Sequence, residues 1–390
     1  MRRMLARGMD AGRRAPSAPA RWSLACALAF AGGCRALNAT EAPDAAAAAD
    51  GGPVQSEPAP EPPSRLEPPV VRPTSDIVVD TVAGSATRGG ADGAGAAAQF
   101  DNPVGVLLDP AGALLVTEYD GGRLRKIDGV GATSTIATGL REPFALVAID
   151  DALIVQTDVD RNGAKGADTG TLWKIALAGG APEVLLEGLG RPRGLARLGD
   201  GRVVFSDRNR HRLSILNLVD RTVAPLAGSG TAGFRGGRGE QAQFDDPYGL
   251  ALLPDGSVVV ADRLNHVIRK VTLEGDVTVF AGDGNPGMKD DADKLLARFD
   301  EPVDVASDVA GNVFVSDSRN GRIRRIGSDG SVETIAGDGT RGFADGDGAT
   351  ARFYGQEQLD VSPDGKTVYV SDGNGGDGED FHRIRRIRVP

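Results

Sequence analysis

The sequence predicts an all-β fold: a six-bladed β-propeller, four antiparallel strands per blade, with the ring closed by the N-terminal strand. Three observations carry that prediction. An acid closes an apolar run at Asp207, Asp262, Asp317 and Asp372, each 55 residues from the next. A constant spacing of about 50 residues marks stacked supersecondary units. Each period also holds four short β-branched runs between Gly, Asp and Pro turns, the pattern of strands. Finally, the fourth run has five internal copies, and its sixth stands at the other end, as IVVDTVAG from Ile77 to Gly84. A chain that starts with a fourth strand and ends with a third closes its ring by completing the last blade, which hides edges that would otherwise invite aggregation.

Residues 1–33 carry six arginines against one acid and end in the short apolar run WSLACALAFAGG before Cys34. A basic head, a short apolar core and small residues at the cut describe a secretory leader. The run falls short of the roughly 20 apolar residues that span a bilayer. AFAGGC resembles a bacterial lipobox, with Ala31 where leucine is usual, which implies cleavage before Cys34 and its acylation. Residues 34–75 read as a disordered Pro/Ala-rich linker, with nine prolines between Pro43 and Pro73. The whole chain has net charge −10. Removing the leader also removes Cys26, makes the chain more acidic and leaves no disulfide, so the core alone must hold the fold. This acidity argues against nucleic acid as a partner and leaves a lipid anchor as the only link to a membrane.

Residues 76–390 form the repeat array. Its first runs follow Pro103, Pro143, Pro192, Pro247 and Pro302, with Gln356 standing in the sixth unit; its second runs end at Glu118, near Asp158, and at the four spaced aspartates. The third runs are rich in arginine, as in RLRKI and RIRRI. The acid is expected to cap turn amides and to pair with the residue five positions on, as in Glu118 with Arg123 and Asp317 with Arg322. Four lead-in loops are long and close on Ala-x-Phe at Phe100, Phe244, Phe299 and Phe353, whose rings are expected to plug blade junctions. Stretches such as FDDPYGLALLPDGSVVVADRLNHVIRKV closely resemble the NHL repeat family over about 315 residues. The resemblance implies the propeller fold and says little of function, because these propellers serve as enzymes, sensors and binding platforms.

Two stretches stand out as candidate sites. Two residues after the proline, the units read Gly105, Ala145, Gly194, Gly249, Asp304 and Gln358. Small residues leave room at a channel mouth, and Asp304 and Gln358 break that rule in adjacent blades. With Arg193, Tyr248 and Glu357 beside them, they are expected to converge on a central ligand-binding pocket; a solvated channel lining is the alternative. The second stretch is DVDRNGAKGADTG, where Asp158, Asp160 and Asn162 before Gly163 open like a calcium loop, with Asp168 near the closing position. Calcium is the cofactor this spacing implies; a plain acidic insertion is the alternative. His211, His266 and His382 occupy equivalent places in the repeat, a fold pattern and not a metal cluster.

The sequence therefore reads as an exported propeller, lipid-anchored to a bacterial membrane at the outer membrane or in the periplasm. Its expected role is that of a cell-envelope binding or scaffold module recognising a protein, peptide or glycan on one face, with no catalytic residue assigned. The alternative is a metal-dependent hydrolase or lactonase-like enzyme at the channel mouth, for which Asp304 and Glu357 are the acids at hand.

Overall fold

The computed structural model describes residues 76–374 and 381–390. The leader, the linker and Cys34 lie outside the described residues. The described residues form six antiparallel sheets of four or five strands, with helix limited to four single 3-10 turns. Six innermost strands line the axis: Pro103–Leu108, Pro143–Ile149, Pro192–Arg197, Pro247–Leu252, Pro302–Ser307 and Gln356–Val361. Each packs on the next, and the sixth packs back on the first, so the ring is closed. Val78–Ser85 is the outer strand of the sixth blade and pairs antiparallel with His382–Arg388, from Val78 opposite Arg388 to Ser85 opposite His382. The chain thus joins its two ends within one sheet, as the displaced fourth run predicts.

The core lies between blades. Second-strand residues such as Val258, Val260, Val313 and Val315 are wholly buried, as are the four lead-in phenylalanines. Each of these rings lies under a buried guanidinium: Arg125 over Phe100 at 5.2 Å, Arg269 over Phe244 at 5.4 Å, Arg324 over Phe299 at 5.2 Å and Arg385 over Phe353 at 5.1 Å.

The acid that closes each second strand does cap turn amides: Asp262 accepts from the Asp245 amide at 2.7 Å and Asp317 from the Asp300 amide at 2.8 Å. The arginine five positions on pairs with the acid at Glu118, which takes Arg123, but not at Asp317. Arg322 lies opposite Asp317 in the register but donates to the Asn320 and Asp338 carbonyls. The pair is instead made two residues further along the strand, by Arg269 to Asp262 at 2.9 Å and Arg324 to Asp317 at 2.8 Å. Glu118 takes both Arg123 and Arg125. The farther arginine lies on the same face of the pleat as the acid and reaches back along it. It also donates to two carbonyls of the long lead-in loop, as Arg324 does to those of Arg298 and Lys289. Acid, arginine, ring and loop therefore form one unit, present in blades 1, 4, 5 and 6.

Three of those long loops do not stay on the axial face. They run outward and add a short fifth strand to the outer edge of blades 1, 4 and 6, at Gly93–Ala94, Gly237–Arg238 and Gly346–Asp347. The histidines are latches between blades: Nδ1 of His211, His266 and His382 accepts from the amides of Asp246, Glu301 and Asn102 at 3.1, 3.2 and 3.2 Å. Their shared place in the repeat has a structural cause.

Candidate functional site

At the lead-in end of the axis, the residue after the proline projects from each blade: Val104, Phe144, Arg193, Tyr248, Val303 and Glu357. Arg193 is almost wholly buried among the rings of Phe144, at 4.1 Å, and Tyr248, at 5.7 Å. Both its terminal nitrogens donate to Asp158, at 2.5 and 2.7 Å. Asp158 further accepts from Arg191 at 2.8 Å, Tyr119 at 2.9 Å and Gln156 at 3.0 Å. Burial alone would raise the Asp158 carboxyl, but the hydrogen bonds and charges of Arg193 and Arg191 hold it far below the usual carboxylate range.

Beside this cluster opens a cavity of about 580 Å³, lined by the first turns after the second strands and by the lead-in residues of blades 3 to 6. Tyr248 and Glu357 are in its wall, together with Arg208, Arg263, Glu301 and Arg319. An alternating chain of charge runs along one side. Arg208 and Arg263 share Asp246, at 2.7 and 2.5 Å, Arg263 continues to Glu301, and Glu301 accepts from Arg319 at 2.7 Å. Tyr354 closes another side, stacked on Phe381 at 3.9 Å with Arg341 over it at 4.0 Å. Glu357 is the exception in this wall: its Oε2 is buried with no hydrogen-bond partner, and burial pushes its carboxyl up even though arginines stand nearby.

Of the five residues expected to converge, four divide between two cavities and Arg193 lines neither. Tyr248 and Glu357 line the first; Asp304 and Gln358 line a second, of about 210 Å³, farther along the inner strands. Gln358 spans the axis and donates to the Arg193 carbonyl of the opposite blade at 3.2 Å. Asp304 accepts from the Leu359 amide at 2.9 Å. The small residues at this level do leave room, but for these two side chains: a Cβ on Gly249 would lie 1.6 Å from Asp304 Oδ1. Burial pushes the Asp304 carboxyl well up. Asp304 and Glu357, the pair on which the hydrolase alternative rests, therefore do not share one pocket.

Nor do the residues of DVDRNGAKGADTG gather round one point. Asp158 is turned inward to its arginines. Asp160 Oδ1 accepts from the amides of its own turn, Asn162 at 2.9 Å and Ala164 at 2.7 Å. Asp168 pairs with Arg210. The calcium reading rested on the spacing of these acids; each of the three aspartates has a partner in the fold, and the described residues hold no group of three acids, histidines or cysteines placed for a metal.

Two kinds of residue in the cavity wall went unmarked in the sequence. Arg208, Arg263 and Ser318 directly follow the acid that closes the second strand, and Glu301 and Gly355 directly precede the first strand. Arg319 and Arg341 lie in the adjoining turn and lead-in loop. The available signal was variation between copies: these places change from blade to blade while their neighbours repeat.

Residues 299–326 match the NHL repeat family. The chain is a six-bladed propeller, and this stretch of its fifth blade matches the NHL repeat. The chain is 38% identical over 91 residues to Protein SUPPRESSOR OF QUENCHING 1, chloroplastic, of Arabidopsis thaliana, covering 23% of this chain and 8% of that one. It is 35% identical over 88 residues to NHL repeat-containing protein 2 of Gallus gallus, covering 22% and 12%. These matches take in only about a tenth of the curated relatives' length. Among solved structures, the chain resembles a protein of unknown function from Bacteroides thetaiotaomicron, with TM-score 0.65 and 21% identity over 80% of this chain and 76% of that one. It also resembles an auxiliary nutrient binding protein of the same organism, with TM-score 0.63 and 18% identity over 80% and 76%. These likenesses show the fold.

Proposed function

We propose that this propeller is an exported binding module, held at the cell envelope by a lipid on Cys34, that takes a protein segment, peptide or glycan at the lead-in end of its axis. The observation that carries this reading is the 580 Å³ cavity, built from side chains already fixed by one another. That volume lies within the range of about 300–1,000 Å³ typical of ligand sites, and its walls are polar groups held ready, which lowers the cost of ordering them on binding. Two structural neighbours described as auxiliary nutrient binding proteins share the fold and support a binding role.

The experiment is a thermal-shift screen of the full-length protein against glycans, peptides and small acids, repeated with Ser318→Trp, which crowds the cavity. A ligand that binds only the folded state, present at ten times Kd, adds about 1.4 kcal/mol. That gain disappears in Ser318→Trp if the cavity is the site; an unchanged gain places the site elsewhere. The anchor has its own test: Cys34→Ser is expected to move the protein from the membrane fraction to the soluble one, and unchanged membrane association would overturn it.

A further inference from the structure

Resting on the binding role just given, the geometry points to a ligand that is an acidic sugar: a carboxylate for the arginines of the 580 Å³ cavity and hydroxyl donors for Glu357. Three observations lead there. First, the charge of the wall runs against that of the chain. The protein carries net charge −10, yet four arginines and two glutamates line this cavity. Field lines focused in such a cleft draw anions to it.

Second, the arginines are not all spent. Along the chain Arg208–Asp246–Arg263–Glu301–Arg319, three guanidiniums share two carboxylates, and Asp300 adds only a long contact of 3.9 Å to Arg319. Arg319 ends that chain with its side chain two-thirds exposed. A guanidinium has five N–H donors in a planar fork that matches a carboxylate. Arg319 uses one of them on Glu301, at 2.7 Å, and offers the rest at the rim.

Third, Glu357 presents a buried acceptor, Oε2, that no group in the fold satisfies. A buried polar atom without a partner is costly, so a ligand that supplies a donor there is rewarded. The donor is a neutral hydroxyl and not an ammonium. The charges acting on Glu357 are those of Arg193, Arg263, Arg208 and Arg191, and a cationic amine beside it would meet four like charges. This separates a sugar acid from an amino acid. Nor does the wall offer a neutral sugar an open aromatic face: Tyr354 is covered by Phe381 and Arg341, and Tyr248 is buried with guanidiniums about it.

The test is calorimetric titration of the full-length protein with digalacturonate, its neutral counterpart galactobiose, glutamate and sulfate. Digalacturonate is expected to bind at least roughly tenfold more tightly than galactobiose or glutamate, the difference a charge-assisted hydrogen bond supplies. Arg319→Met, at an exposed position, is expected to weaken digalacturonate by a similar factor. Glu357→Gln is expected to weaken digalacturonate while strengthening bare sulfate, because it puts an amide donor in place of one carboxylate oxygen and removes a repelling charge. Equal binding of the acidic and neutral disaccharides, glutamate as the best ligand, or sulfate weakened by Glu357→Gln would each overturn the assignment. A neutral glycan or peptide that binds and is lost in Ser318→Trp would overturn the acidic-sugar assignment while leaving the binding role standing. No binding of digalacturonate at millimolar concentration would likewise overturn it.

Discussion

The lead-in face has two sectors built from the same residue types to opposite ends. Over blades 1 to 3 one carboxylate, Asp158, accepts from Arg193, Arg191, Tyr119 and Gln156, and nearby Glu142 takes the Tyr119 hydroxyl at 3.0 Å and Lys165 at 2.7 Å. Over blades 3 to 6 three arginines share Asp246 and Glu301, and Glu357 has no hydrogen-bond partner for Oε2. The first sector spends its central carboxylate on four donors of the fold, although Arg193 Nε and Gln156 Oε1 stay without partners. The second leaves arginine donors exposed at a cavity whose wall holds Glu357, with its unsatisfied oxygen. A charged cluster saturated by its own fold is structure; the same chemistry left unsaturated around a void is a site.

That contrast predicts very different costs for two similar substitutions. Asp158→Asn strands the buried Arg193 charge and is expected to cost about 3–5 kcal/mol of unfolding free energy, the usual penalty for breaking a buried pair. The double substitution Asp158→Leu with Arg193→Met removes both charges and is expected to restore much of the loss. Glu301→Gln, whose carboxylate pairs with the partly exposed Arg263 and Arg319, is expected to cost less than about 1 kcal/mol. Urea unfolding of the variants measures both. Equal losses from Asp158→Asn and Glu301→Gln would erase the distinction between the sectors.

The fold was legible because 55-residue spacing survives every loop, and the ring closure because a fourth strand was missing from one end and present at the other. The arginine partner was read rightly for Glu118 and misread for Asp317, because the residue directly across a hairpin is the obvious neighbour, whereas an arginine two residues on reaches back along the same face. A within-chain signal was available. Arg125, Arg269, Arg324 and Arg385 recur in the four units with long loops, while the place directly across from the acid is Arg123, Val267, Arg322 and Arg383. The site was less legible, and the cause is local. Every inner strand shifts register just after its first residue, as between Pro302 and Asp304 and between Gln356 and Leu359. Such a bulge breaks the two-residue alternation on which any assignment of faces depends. Glu357 and Gln358 were therefore read as one pocket when they serve two.

The second cavity sharpens the comparison through pH. Burial raises the Asp360 carboxyl to about 6 from its ordinary 3.8, against hydrogen bonds from the Leu108 and Val361 amides. Its folded state thus holds a proton that the unfolded state has released, and stability falls as pH climbs from near 4 toward 6 and just beyond. Between pH 5 and 7 the loss from this group is on the order of 1 kcal/mol. Asp304, raised by burial and by the charges of Asp360 and Glu357, acts in the same sense. Asp158 acts in the opposite one: its folded value is depressed, so its contribution is present above the ordinary value and is lost in acid. Urea midpoints at pH 5, 6 and 7 for the wild type and Asp360→Asn test this. A wild-type slope no steeper than that of Asp360→Asn would contradict it.

The smallest effect is expected from calcium at the loop of the saturated sector. For Asp158 to ligate a cation it must leave Arg193 and Arg191, and that would leave a buried guanidinium without its counter-charge. Asp160 is tied to the amides of Asn162 and Ala164, and Asp168 to Arg210. A cation that binds only by breaking such a pair gains little net energy, because the cost of the stranded charge is of the same size as the coordination it wins. Calcium in the millimolar range, against chelator, is therefore expected to change unfolding free energy by less than about 0.5 kcal/mol, within the range of ordinary surface changes. Asp160→Asn is expected to leave that response unaltered, since its turn is made by an oxygen that asparagine retains. A calcium response above 1.4 kcal/mol, the value for a site held at about ten times its Kd, and abolished by Asp160→Asn would show that Asp158 does change partners and that this sector is a switch rather than a seal.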